Sequence, residues 1–155
     1  MIWEELKDSL IMTELDAGSR EDVMRQLGGA LIREGYAKPT YIDALNIRER
    51  EFPTGLDVNG VGVAIPHTDV SHVNRAGIAI GVLKNPVTFT QMGTEDEKVQ
   101  VQLIFMLAVV DPNKHIDELQ RIVAIIQDTA VLGRILEGKN AGEITEIIRE
   151  KENSL

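Results

Sequence analysis

Leu103-Ile104-Phe105-Met106-Leu107-Ala108-Val109-Val110 is the longest unbroken apolar stretch of the chain. It falls far short of the ~20 residues a membrane span requires. Side chains of a strand alternate between two faces, so a run that is apolar at every position needs both faces dry. The run, with Val99 to Gln102 before it, therefore predicts a central strand covered by helices on both sides. Downstream, Asp111-Pro112 reads as an N-cap with a first-turn proline, and Ile116, Leu119, Ile122, Val123 and Ile126 make one apolar helical stripe. Two shorter helices follow, Ala130–Leu136 and Ile144–Lys151, the second preceded by the capping pair Asn140 and Glu143. Upstream, Ile78–Leu83 and Val61–Ile65 read as strands, the latter terminated by Pro66, while Thr54 to Gly60 is rich in turn formers. A helix from near Pro39 to just before Pro53 places Tyr41, Ala44, Leu45 and Arg48 on one face. An earlier helix opens with Ser19 and Asp22 as a capping box, carries Val23, Leu27, Ala30 and Leu31, and ends at Gly35. Its Gly28-Gly29 costs about 1 kcal/mol per glycine relative to alanine, which predicts a close packing partner. Leu10–Leu15 supplies a first strand. Strands and helices alternate without repeat or linker, so the chain reads as one α/β domain over residues 1–155. It is a three-layer sandwich in which a mixed, mostly buried β-sheet is flanked by helices.

Composition narrows the function classes. The 155 residues contain 25 acidic and 16 basic side chains, a formal charge of −9. That balance argues against a nucleic-acid or anionic-membrane partner. With no cysteine, disulfides, thiolate metal ligands and a thiol nucleophile are excluded. A reducing, cytoplasmic location fits. The start, Met1 to Asp8, carries Glu4, Glu5, Lys7 and Asp8 and reads as neither a signal nor a transit peptide. Only His67, His72 and His115 have ordinary pKa values near neutrality.

His67 follows Pro66 at the carboxyl end of a predicted strand, where open α/β sheets place ligand sites. The proline stiffens its approach. Arg48 lies upstream, with Thr54 in the Pro53-Thr54-Gly55 turn, and His115 falls in the first turn of the helix that Asp111-Pro112 opens. That helix start offers free N–H groups and a positive dipole end. Together these are parts for carrying a phosphoryl group on His67: a neutral imidazole as nucleophile, a planar guanidinium and a second imidazole for the phosphoryl oxygens. Arg50 is the neighbouring alternative to Arg48. Thr54 either lends its hydroxyl to the phosphate pocket or serves the turn. Asp69 or a backbone carbonyl would orient the His67 ring through its other nitrogen. A metal-dependent hydrolase built on His67 and His72 is the competing chemistry, but the two share no strand or helix face and lack a third ligand. Gly60-Val61-Gly62 lacks the third glycine and following helix of a nucleotide loop.

Val63-Ala64-Ile65-Pro66-His67, with Arg48-Glu49, Pro53-Thr54-Gly55-Leu56, Phe105-Met106-Leu107-Ala108 and Lys114-His115, resembles the fructose/mannitol superfamily of enzyme IIA components of the bacterial phosphoenolpyruvate-dependent sugar phosphotransferase system. The resemblance spans roughly Met12 to Leu136. Phe52 to Leu56, Pro66-His67-Thr68-Asp69 and Met92-Gly93 resemble its galactitol-type branch. The resemblance implies a cytoplasmic phosphotransferase without metal or cofactor. The phosphocarrier protein HPr would phosphorylate His67 on Nε2, and His67 would pass the group to a cysteine of enzyme IIB, which serves the membrane transporter IIC. His115 and Arg48 would assist. Lacking cysteine, the chain is not itself the IIB component. A nitrogen-type regulatory protein, whose phosphorylation state controls partner binding, is the alternative within the same superfamily.

Overall fold

The structure, a computed structural model, describes residues 1–155. In chain order its strands are β1 (Ile11–Leu15), β2 (Gly55–Val58), β3 (Val61–Ala64), β4 (Gly77–Thr90) and β5 (Lys98–Ala108). Its helices are α1 (Arg20–Arg33), α2 (Tyr41–Glu51), α3 (Pro112–Gln127), α4 (Thr129–Leu136) and α5 (Ala141–Asn153). The strands form one sheet in the order β1-β4-β5-β3-β2. β5 is central, parallel to β3 and antiparallel to β4, and the outer pairs are β1 parallel to β4 and β2 antiparallel to β3. The sheet is mixed, as expected.

Alternation along β5 divides the core in two. Leu103, Phe105 and Leu107 join the cluster under α3, α4 and α5, while Ile104, Met106 and Ala108 join the cluster under α1 and α2. Burying both sets is what makes three layers. The phase slips once, because Val101 faces α1 and α2 although Leu103 faces the other way. Register shifts opposite β3 and β4 mark the slip.

The helix caps form as the sequence predicts: Ser19 accepts from the Asp22 N–H, Asp111 from Asn113 and Asn140 from Glu143. Gly28 has its packing partner, since a Cβ there would lie 3.1 Å from Ile42 and 3.3 Å from Leu45 of α2. Gly29 instead faces only its own helix's Arg33.

Four expectations are corrected. Thr54 to Gly60 is no simple turn: β2 occupies most of it and Asn59-Gly60, both at positive φ, close a hairpin with β3. Ile78–Leu83 is only the first half of β4. Pro39 precedes α2, whose N-cap is Thr40. Ile116 leaves the apolar stripe of α3 and is 56% exposed: the residues this helix buries, Ile122, Ile125 and Ile126, all lie in its later turns. No helix is long and apolar enough to cross a membrane.

Candidate active site

β3 and β5 run parallel, and their carboxyl ends meet. From β3 the chain continues through Ile65 and Pro66 to His67, and the Leu107 N–H donates to the Pro66 carbonyl at 2.9 Å, stitching His67 beside Leu107. The Leu107 carbonyl in turn accepts from the Tyr41 hydroxyl of α2 at 2.7 Å. Pro66 thus contributes rigidity on one side and a backbone tie on the other. After β5, Val109 and Val110 lead to Asp111, which caps α3 and places His115 in its first turn. The His67 and His115 rings lie 4.6 Å apart between centroids, inclined at 53°.

His67 Nδ1 is 3.0 Å from the Ile65 carbonyl oxygen. A carbonyl only accepts, so Nδ1 carries the proton, and in the neutral ring Nε2 keeps its lone pair. The orienting group is therefore this carbonyl; Asp69 is exposed and has no bond to the ring. Burial pushes the His67 pKa below its ordinary value; the Ile65 bond opposes this and the Arg48 charge adds to it. His115 is pushed down to about 4 by burial, then by His67 and Arg48. Both rings are neutral at neutral pH.

Arg48 sits in the last turns of α2, half-buried, its guanidinium 5.1 Å from the centre of the Phe52 ring. Its charge reaches both histidines. Its buried Nε, like Nδ1 of His115, has no hydrogen-bond partner in the protein. Two unpaired groups beside an open imidazole nitrogen suit an anionic ligand with several acceptor oxygens. Arg50, about 200° farther round the helix, is exposed.

Thr54 does not line this pocket. It is 4% exposed. Its hydroxyl donates to Glu49 at 2.9 Å and accepts from the Ile65 N–H at 3.2 Å, which leaves nothing to offer a phosphate. His72 is likewise engaged elsewhere, its Nδ1 2.8 Å from the Thr40 hydroxyl, where the loop after His67 meets the start of α2. No group of three or more His, Asp or Glu side chains converges on a metal-sized site.

Two residues near the site are given no role by the sequence, Tyr41 for its hydroxyl and Glu49, which figures only as part of the Arg48-Glu49 stretch. Tyr41, Leu45 and Glu49 are the buried residues of α2 and stand four apart. A carboxylate in phase with a buried stripe is the signal that marks Glu49.

The family model for the enzyme IIA component, type 2, of the phosphoenolpyruvate-dependent sugar phosphotransferase system matches residues 4–151. The galactitol-specific EIIA component of Escherichia coli K12 is 28% identical over 117 residues, covering 76% of this chain and 77% of that protein. The crystal structure of the mannitol IIA of Escherichia coli superposes with a TM-score of 0.76 at 25% identity, covering 92% of this chain and 98% of that one. The same organism's complex of mannitol IIA with phosphorylated mannitol IIB contains a chain matching at a TM-score of 0.78 and 24% identity, over 94% of this chain and 97% of that one. With a family match over nearly its whole length and the same fold in its solved relatives, the chain belongs to the type 2 enzyme IIA family of the phosphoenolpyruvate-dependent sugar phosphotransferase system.

Proposed function

We propose that the chain, acting as one domain in the cytoplasm, accepts a phosphoryl group from phosphorylated HPr on Nε2 of His67. It then delivers the group to a cysteine of an enzyme IIB partner, which serves the transporter IIC, with galactitol as the sugar. One observation carries this reading: the Nδ1–H bond of His67 to the Ile65 carbonyl leaves Nε2 as the nucleophilic nitrogen. In the first step the Nε2 lone pair forms the new P–N bond as the P–N bond to the donor histidine breaks, and the proton stays on Nδ1. In the second a thiolate forms a P–S bond and the lone pair returns to Nε2. Arg48 and His115 donate hydrogen bonds to the phosphoryl oxygens in flight, where negative charge is spread.

The surroundings favour protein partners. Five of the eight exposed large apolar side chains, Ile47, Phe52, Val70, Val110 and Ile116, lie within five residues of Arg48, His67 or His115 in the sequence. Exposed apolar side chains flanking these residues along the chain suit transient docking. Galactitol rests on the relative that bears that specificity. The partner class rests on the complex formed by the mannitol relative.

The protein incubated with phosphoenolpyruvate, enzyme I and HPr is expected to gain an acid-labile phosphate that is absent in His67→Ala. A label that persists in that variant overturns the assignment. Transfer to a panel of IIB proteins then tests the branch, and faster delivery to a mannitol-type than to a galactitol-type IIB overturns galactitol alone.

A further inference from the structure

Beneath the site, Glu49 is 2% exposed although no lysine or arginine pairs with it. Burying a carboxylate is unfavourable unless its oxygens are hydrogen-bonded. Here both are, and to one residue: Oε2 accepts from the Thr54 N–H at 2.7 Å and Oε1 from the Thr54 hydroxyl at 2.9 Å. A leucine at this position would continue the Tyr41 and Leu45 stripe, so packing alone gives no reason for a carboxylate.

The direction of the next bonds supplies one. A hydroxyl has one proton. Because the Thr54 proton points at Glu49, its oxygen is turned to accept, and it accepts from the Ile65 N–H at 3.2 Å. The carbonyl of the same Ile65 accepts from His67 Nδ1 at 3.0 Å. Glu49, Thr54, the Ile65 backbone and His67 are thus joined in series: Thr54 holds the peptide group before the Ile65 Cα through its N–H, and the carbonyl of the peptide group after it holds the ring.

We propose that Glu49 is a positioning residue for His67: through Thr54 it anchors the peptide group that ends at the Ile65 N–H, and so restrains the Ile65 backbone whose carbonyl, in the next peptide group, keeps the ring proton on Nδ1 and Nε2 free. The proposal rests on the reading of His67 as the phosphoryl acceptor. Glu49 and Arg48 are consecutive, so the same turn of α2 serves the ring from below and the phosphoryl oxygens from beside it.

The test uses the full-length, ¹⁵N-labelled protein. Long-range ¹H–¹⁵N correlation of the imidazole rings reads which nitrogen holds the proton, and the rate of phosphoryl uptake from phosphorylated HPr is measured on the same samples. The wild type is expected to show His67 as a single Nδ1–H form. Glu49→Gln and Thr54→Val are expected to mix the tautomers and to slow uptake about 10- to 100-fold, the scale of a misplaced or mis-tautomerised group. Thr54→Ser, which keeps the hydroxyl, restores both readouts. A wild-type tautomer in folded Glu49→Gln and Thr54→Val overturns the proposal whatever their melting temperatures, and so does a mixed tautomer with unchanged uptake. Should Thr54→Val fail to fold, Glu49→Gln decides, because it preserves the side chain's size. If wild-type His67 takes no phosphoryl group, the proposed function fails while the tautomer comparison still decides the role of Glu49.

Discussion

At His67 one hydrogen bond divides the labour between the two ring nitrogens, and burial, with a nearby charge added, makes the ring harder to protonate. The Arg48 guanidinium lowers the pKa of both His67 and His115, in addition to burial. A nucleophile kept neutral has its lone pair available across the physiological range. Arg48→Gln removes the positive charge, so protonation becomes easier and both pKa values rise, as an NMR titration of the rings will read. On the proposed function the same variant also loses a donor to the phosphoryl oxygens, and its uptake rate is expected to fall on the order of 100-fold. Unchanged ring titrations would show that the charge does not reach the pair. At this scale the sequence revealed side chains whose chemistry is visible from type and position, such as a histidine after a proline at a strand end. It assigned Glu49 no role and misdirected Thr54, because a hydroxyl beside a glycine reads as turn or ligand, and only the fold shows that the Ile65 N–H and a buried carboxylate already hold it.

Among the elements, the β2–β3 hairpin, which leads into His67, was the least legible. Asn59-Gly60 between Val58 and Val61 is a strong two-residue hairpin signal. It was masked because β2 has only four residues, with exposed Asp57 among them, in a segment dense with turn formers. The long apolar β5 suffered no such ambiguity. The two hairpin glycines do different work. Gly60 adopts φ +88° with no heavy atom near its missing Cβ. At Gly62 a Cβ would lie 2.0 Å from the Gln100 carbonyl oxygen and 2.8 Å from the Val101 Cα. Those are backbone atoms of β5, so they can yield only if β3 moves away. Gly62→Ala is therefore expected to destabilise the fold by roughly 3 kcal/mol, the upper end for overpacking, and to disturb the His67 ring signals in the folded fraction. Gly60→Ala is expected to cost about 1–2 kcal/mol of local backbone strain and to leave those signals alone. Urea midpoints of the two variants, read beside their ring spectra, check both; equal losses would mean that β3 does not approach β5 this closely.

For the whole molecule, periodicity announced the layers because each buried strand face must meet a helix, whereas strand order depends on which edges pair, about which side-chain alternation is silent. The net charge of −9 is equally silent about how stability follows pH, since that depends on groups whose pKa differs between folded and unfolded chains. Among the buried groups two sets oppose each other, the two histidines on one side and Glu118 and Glu49, both raised by burial, on the other. His67 and His115 are depressed, so the unfolded chain takes up protons first and stability falls as pH drops below about 6.5, on toward the His115 value of about 4. Glu118, in the cleft between α3 and the amino-terminal segment, behaves oppositely. Burial and the like charge of Glu5 push it up from 4.5 to about 7, and its Oε1 has no hydrogen-bond partner. The folded chain holds that proton longer than the unfolded one. Its contribution is therefore fully present below the ordinary value of 4.5 and is lost as pH rises through about 7. Between these limits the two slopes partly cancel in the wild type, and removing one exposes the other. Glu118→Gln keeps the shape and discards the titration, so its stability relative to wild type is expected to rise with pH across that window and to level off above it. Chemical denaturation of both proteins at pH 5, 6, 7 and 8 reads the difference directly, and a constant offset at all four would show that Glu118 ionises in the folded protein as freely as in water.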